Sequence, residues 1–94
     1  MNSDPIRLLV HGPSGRMGRA LLRLVGADAR FELVAAVSRS GSAIEGLAVP
    51  VFSATQFSRC PAFDLAIDFS LPDGFDAILA ECVGRGAALV SGTT

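Results

Sequence analysis

Two periods of hydrophobic and polar residues alternate along this chain. Short apolar runs are separated by stretches in which apolar residues return every third or fourth position. Ile6 to Val10, interrupted only by Arg7, reads as a buried strand stopped by a glycine turn. From there Met17, Ala20, Leu21, Leu24 and Val25 fall at i, i+3, i+4, i+7 and i+8, one face of a helix that Gly26 ends. Phe31–Val37 predicts a second strand, with Glu32 as its only charge, and residues 38–48 predict a loop. Val49–Phe52 predicts a short strand that Pro50 confines to a sheet edge. Ser53 then predicts the cap of a short helix through Ser58. Leu65–Phe69 is the third clear strand, Pro72 a helix start, and Phe75, Ile78, Leu79, Cys82 and Val83 repeat the one-face pattern. Gly84 and Gly86 flank that helix's end. Ala87–Val90 predicts a last strand before the closing Ser91–Gly92–Thr93–Thr94.

This alternation predicts an α/β fold, a doubly wound and mainly parallel sheet with helices on both faces. Strands this apolar are expected when both faces are covered. The final strand would lack its own covering helix, and a long exposed edge invites aggregation. The pattern therefore predicts an incomplete domain, the front part of a larger protein.

Composition changes this picture little. The 94 residues are half hydrophobic and only 18% charged, which suits one small domain with a real core. All eight cations are arginines and the net charge is −1, so no basic surface is offered to nucleic acid or to an anionic membrane. Cys60 and Cys82, with no CxxC and only His11 as histidine, do not form a four-ligand zinc pattern and read as free thiols of a reducing compartment. The acid and proline near the amino terminus are unlike a signal peptide, and no apolar stretch approaches the ~18 residues of a membrane span. The expected location is the cytoplasm.

The candidate chemistry lies in Gly12, Gly15 and Gly18. Glycine weakens a strand or helix interior by about 0.5–1 kcal/mol relative to alanine, so three of them call for a tight turn or a close-approaching ligand. In a strand–turn–helix unit the turn meets free N–H groups and the positive end of the helix dipole. Gly12 would allow the sharp turn, Gly15 the approach of a diphosphate, and Gly18 close helix–strand packing. The spacing G-x-x-G-x-x-G is one residue longer than the familiar dinucleotide fingerprint. A purely structural turn is the alternative.

An acid at the end of the second strand would hold the ribose hydroxyl of NAD. Here stand Ser38, Arg39 and Ser40. A hydroxyl followed by a guanidinium suits a 2′-phosphate, favouring NADPH over NADH, against the reading of a solvated loop arginine. Arg16 has the same choice between phosphate and water. Asp68–Phe69–Ser70 and Ser91–Gly92–Thr93–Thr94 also end strands on the ligand-binding edge, or serve as ordinary capped turns. No histidine or second carboxylate is placed to pair with Asp68, whose expected role is hydrogen bonding at its turn. His11 is expected to be structural.

Three motifs together resemble one family. GPSGRMGR at 12–19, IDFSLPDG at 67–74 and the terminal SGTT are similar to the amino-terminal half of bacterial dihydrodipicolinate reductases. The resemblance covers essentially the whole chain. It implies a Rossmann-like NAD(P)-binding domain over 1–94, paired in the intact enzyme with a carboxyl-terminal domain that binds substrate and assembles a homotetramer. It further implies reduction of a cyclic dicarboxylate, 4-hydroxy-tetrahydrodipicolinate, to tetrahydrodipicolinate in lysine and diaminopimelate biosynthesis.

Carried over motif by motif, Gly12, Pro13, Ser14, Gly15, Arg16 and Met17 would wrap the diphosphate, and Arg39 would meet the adenosine ribose or its phosphate. Phe69 and Ser70 would line the nicotinamide side. Gly92, Thr93 and Thr94 would contact the nicotinamide end, with Thr94 nearest the substrate. Many members carry Glu at the Ser38 position, which lets them use NADH readily; NADPH is the expected preference here, with NADH possible. The family's H-H-x-x-K segment, with its proton donor, does not occur, so no catalytic residue is expected in this chain; its cysteine and histidine pattern gives no expected metal ligand either. The chain alone is expected to hold cofactor without turning over. Other readings are another two-domain NADP-dependent dehydrogenase of amino-acid metabolism, or a non-catalytic dinucleotide sensor.

Overall fold

The structure, a computed structural model, describes residues 4–12, 16–38, 49–69 and 75–91. Its elements run β1 (Ile6–His11), α1 (Arg16–Gly26), β2 (Phe31–Ser38), β3 (Val51–Ser53), a 3-10 segment (Ala54–Arg59), β4 (Leu65–Asp68), α2 (Phe75–Arg85) and β5 (Ala88–Ser91). The five strands form one parallel sheet in the order β3-β2-β1-β4-β5. This is the expected Rossmann-like, doubly wound fold. Successive strands step one way from β1 through β2 to β3, and β4 and β5 then lie on the other side of β1. The strand order therefore reverses between β1 and β4.

Side chains alternate across each strand, so the sheet carries two cores. On one face Leu8 and Val10 of β1 pack with Leu33, Leu65 and Ile67 under Leu21, Leu22 and Val25 of α1. On the other, Leu9, Ala35, Val37 and Ala66 pack under Phe57, Cys60 and Phe63 of the 3-10 region and under Ile78 and Cys82 of α2. Leu8 pairs with Leu33 but Leu9 with Ala35, a bulge that lets both Val34 and Ala35 serve the second core. Both thiols lie in that core, where burial pushes them above the ordinary cysteine range.

Several expectations are corrected. On α1 the expected Val25 and Leu21 pack onto the sheet, but Leu24 is 70% exposed and Leu22 packs there in its stead. On α2 the buried line is Ile78 and Cys82, while Leu79 and Val83 are exposed. Each displaced residue lies one position from a buried one, which is a rotation of about 100°. The apolar pattern was wider than the stripe the sheet covers. The short strand sits at 51–53 rather than 49–52, because Pro50 lacks an N–H; its carbonyl instead accepts from Ala36 N–H at 3.1 Å. The helix after Ser53 is of the tighter 3-10 type, and Ser53 N–H donates to Gln56 Oε1 at 3.0 Å. β4 ends at Asp68 and β5 is shifted one residue, to 88–91. The predicted loop beyond Ser38 and the Pro72 helix start lie outside the described residues.

Two arginines close the amino-terminal edge. Arg7 reaches Asp64 with both Nε and Nη2, at 3.3 and 3.0 Å, while Asp64 Oδ2 also accepts Arg7 N–H. The Arg7 guanidinium holds that carboxyl below its usual range. Arg85, in the last turn of α2, donates to the carbonyls of Phe57, Cys60 and Pro61 at 2.9–3.1 Å and to Glu81 at 2.6 Å. Its guanidinium lies 4.7 Å from the Phe63 ring centroid.

Candidate functional site

The site is the carboxyl edge of the sheet at the β1/β4 reversal, where open α/β sheets leave a crevice. β1 ends at His11, and Gly12 follows with φ +77°, a conformation that an L side chain resists. Gly12 N–H donates to Val37 O at 2.8 Å, which ties the start of the turn to β2. α1 begins at Arg16, four residues beyond Gly12. No acid stands in its first turn, whereas Arg16 and Arg19 do. Cations at a helix amino terminus oppose the dipole, so a sequence that puts two arginines and no acid there suits an anionic ligand. A diphosphate is such an anion, so a helix start of this composition fits a dinucleotide.

Ser38 closes β2 next to this turn and is half-buried. Phe69, just past β4, donates its N–H to His11 O at 2.8 Å, and β5 ends alongside at Ser91. The structure thus brings Gly12, Ser38, Phe69 and Ser91 to one edge. Arg16 and Met17 open α1 there. Pro13, Ser14, Gly15, Arg39, Ser70, Gly92, Thr93 and Thr94 lie outside the described residues.

Beneath this edge lies a pair that contradicts one expectation. His11 Nδ1 and Asp68 Oδ1 are 3.0 Å apart and both residues are buried. They are 57 positions apart in sequence but directly opposed in the β1–β4 register. The sequence placed each at the end of an apolar strand without placing those strands side by side; a β1–β4 neighbour relation, as at a doubly wound reversal, is the signal that would have found it. Burial lowers the His11 imidazole below its ordinary range, outweighing the pull of Asp68. A carboxylate oxygen only accepts, so the ring donates to it from Nδ1–H. The Phe57 ring meets His11 edge-on, with centroids 5.2 Å apart.

The sequence model of the family described as dihydrodipicolinate reductase, N-terminus, matches residues 6–94. The chain belongs to this family. The 4-hydroxy-tetrahydrodipicolinate reductase of Stenotrophomonas maltophilia (strain R551-3) is 56% identical over 98 aligned positions, covering all of this chain and 40% of that protein. The chain thus spans about 40% of the length of the curated relatives it matches. Among solved structures, the dipicolinate-bound dihydrodipicolinate reductase of Paenisporosarcina sp. TG-14 superposes with a TM-score of 0.79 at 25% identity, over 96% of this chain and 38% of that one. The Rex-family repressor RSP, solved with β-NADH, has a TM-score of 0.74 at 15% identity, over 95% of this chain and 46% of that one, a likeness of fold alone. Family membership accounts for the three motifs, which no shared fold would supply. Among the described residues no helix is long and apolar enough to cross a membrane.

Proposed function

We propose that this chain is the cofactor-binding portion of a 4-hydroxy-tetrahydrodipicolinate reductase of lysine and diaminopimelate biosynthesis. The intact enzyme works in the cytoplasm as a homotetramer, and NADPH is preferred to NADH. The single observation that carries the reading is the glycine turn at the β1/β4 reversal: Gly12 at φ +77° leads into a helix whose first turn holds arginines and no acid.

Gly12 to Met17 bind the diphosphate through backbone N–H groups, and Arg16 adds its charge. Ser38 and Arg39 take the adenosine ribose and its 2′-phosphate, because β2 ends without the acid that would bond both ribose hydroxyls. Phe69, Ser70 and Gly92 to Thr94 border the nicotinamide, with Thr94 towards the cyclic dicarboxylate. Nicotinamide, when bound, supplies the hydride that reduces the substrate to tetrahydrodipicolinate. The contribution of this chain is positioning: holding the ring at a fixed place over the strand ends is the part of catalysis a binding domain can give. The groups that protonate and bind substrate belong to the further portion that the relatives possess.

Calorimetric titration of the wild type and Arg39→Ala with NADPH and NADH tests the cofactor assignment. The wild type is expected to bind NADPH more tightly. A hydrogen bond to a charged group contributes about 1.5–3 kcal/mol, so the variant should lose roughly ten- to 150-fold in NADPH affinity and little for NADH. Equal losses would refute the phosphate contact.

A further inference from the structure

A polar rung crosses the second face of the sheet just inside the carboxyl edge. The register sets Phe52, Val37, His11, Asp68 and Ser91 side by side on β3, β2, β1, β4 and β5. The rung is apolar on β3 and β2 and polar on β1, β4 and β5. His11 and Asp68 are joined at 3.0 Å, and Ser91 Oγ donates to Asp68 Oδ2 at 3.4 Å. The carboxyl of Asp68 thus joins its two neighbouring strands, each through a different oxygen.

Stability alone does not explain this choice of residues. Burying a polar pair costs desolvation, and replacing both partners by apolar residues is often neutral or stabilising. Val37 occupies the next place in the same rung and meets its packing needs without a polar atom. What the polar members have in common is their position. Each is the last residue of its strand, followed directly by Gly12, Phe69 and Gly92 respectively.

Resting on the cofactor reading above, we infer that the His11–Asp68–Ser91 rung positions the nicotinamide half of the dinucleotide by locking together the ends of β1, β4 and β5. His11 is a positioning residue that acts through Asp68. The adenosine half belongs to the β2 side, where Ser38 ends its strand beside the apolar part of the rung. Strands ~4.8 Å apart put the polar part over ~10 Å, from His11 at the reversal across Asp68 and Ser91 on the β4 and β5 side. A hydrogen-bonded rung has directional geometry that a row of valines lacks, so it fixes the strand ends relative to one another as well as packing them.

The test is calorimetric titration of the chain with NADPH and with 2′-phospho-ADP-ribose, which carries the adenosine half and diphosphate but no nicotinamide ring. His11→Leu removes the donor, and His11→Asn restores one near the Nδ1 position. The double variant His11→Leu/Asp68→Val removes both partners, so that a failure of the single variant to fold does not decide the matter. In the wild type NADPH should bind more tightly than the fragment. The leucine variant or the double variant should bind NADPH about tenfold more weakly, the fragment as before, and His11→Asn should recover most of the difference. Equal losses for both ligands, or no loss for either, would overturn the positioning role while leaving the cofactor reading intact. A folded wild type that binds neither ligand would overturn both.

Discussion

Arg85 is the residue whose removal should cost the fold most for a side chain one-fifth exposed. Its guanidinium holds the carbonyls of Phe57 and Cys60 in part-buried surroundings and that of Pro61 at the surface. Arg85→Ala leaves the first two without this donor, at about 1–3 kcal/mol each if water does not replace it. Loss of the stacking on Phe63 adds about 0.5–1 kcal/mol. The freed Glu81 adds little, because an i,i+4 pair is worth about 0.3–0.5 kcal/mol. These contributions are not additive, and water reaches the Pro61 carbonyl, so the expected net loss is about 3 kcal/mol. For a domain of this size that lowers Tm by about 12–24 °C. Arg85→Lys keeps the charge but not the fork, and should recover less than half. Urea unfolding followed by circular dichroism measures both. The effect also reaches the site, because the pinned carbonyl of Phe57 belongs to the residue whose ring covers His11. A loss below about 1 kcal/mol for Arg85→Ala would refute this role.

The turn at Gly12 makes a second prediction. At φ +77° a Cβ is strained by about 1–2 kcal/mol, so Gly12→Ala should lower the unfolding free energy measured in urea by that amount and weaken NADPH binding; an unchanged free energy would contradict the turn geometry. His11 makes a third, concerning pH. Its folded pKa lies below the unfolded value near 6.5, so above that value both states are neutral and stability is full. As pH falls below it the unfolded chain takes up a proton that the folded chain resists, and stability drops until the folded pKa is passed. The unfolding free energy from urea titrations should therefore fall as pH drops below about 6.5, by no more than about 1.4 kcal/mol per pH unit. Because His11 is the only histidine, His11→Asn should flatten this slope. A flat profile in the wild type would contradict a buried neutral ring.

Much of the fold was legible because each strand is a short apolar run bounded by Gly or by polar residues, as β1 is by Gly12. Helix faces were less legible. Leu24 and Val83 satisfy the same periodicity as Val25 and Cys82, and only the width of the covering sheet separates buried from exposed. The turn at Gly12 was readable from composition and order, since that glycine stands between an apolar strand and an amphipathic stretch. The His11–Asp68 pair was not, because pairing across 57 positions depends on strand order, which local patterns do not encode. Nor was the role of Arg85 legible in detail. A cation in a last helical turn signals a carbonyl partner, but not carbonyls more than twenty residues upstream.

The most direct measurement is proton–nitrogen correlation NMR of the labelled chain during titration with NADPH. Shifts concentrated at Gly12, Ser38, Phe69 and Ser91, with Arg7, Asp64 and Gly86 at the opposite edge unmoved, are the expected result. Saturable shifts centred on that opposite edge, or none in a folded chain, would contradict a dinucleotide site at the β1/β4 reversal.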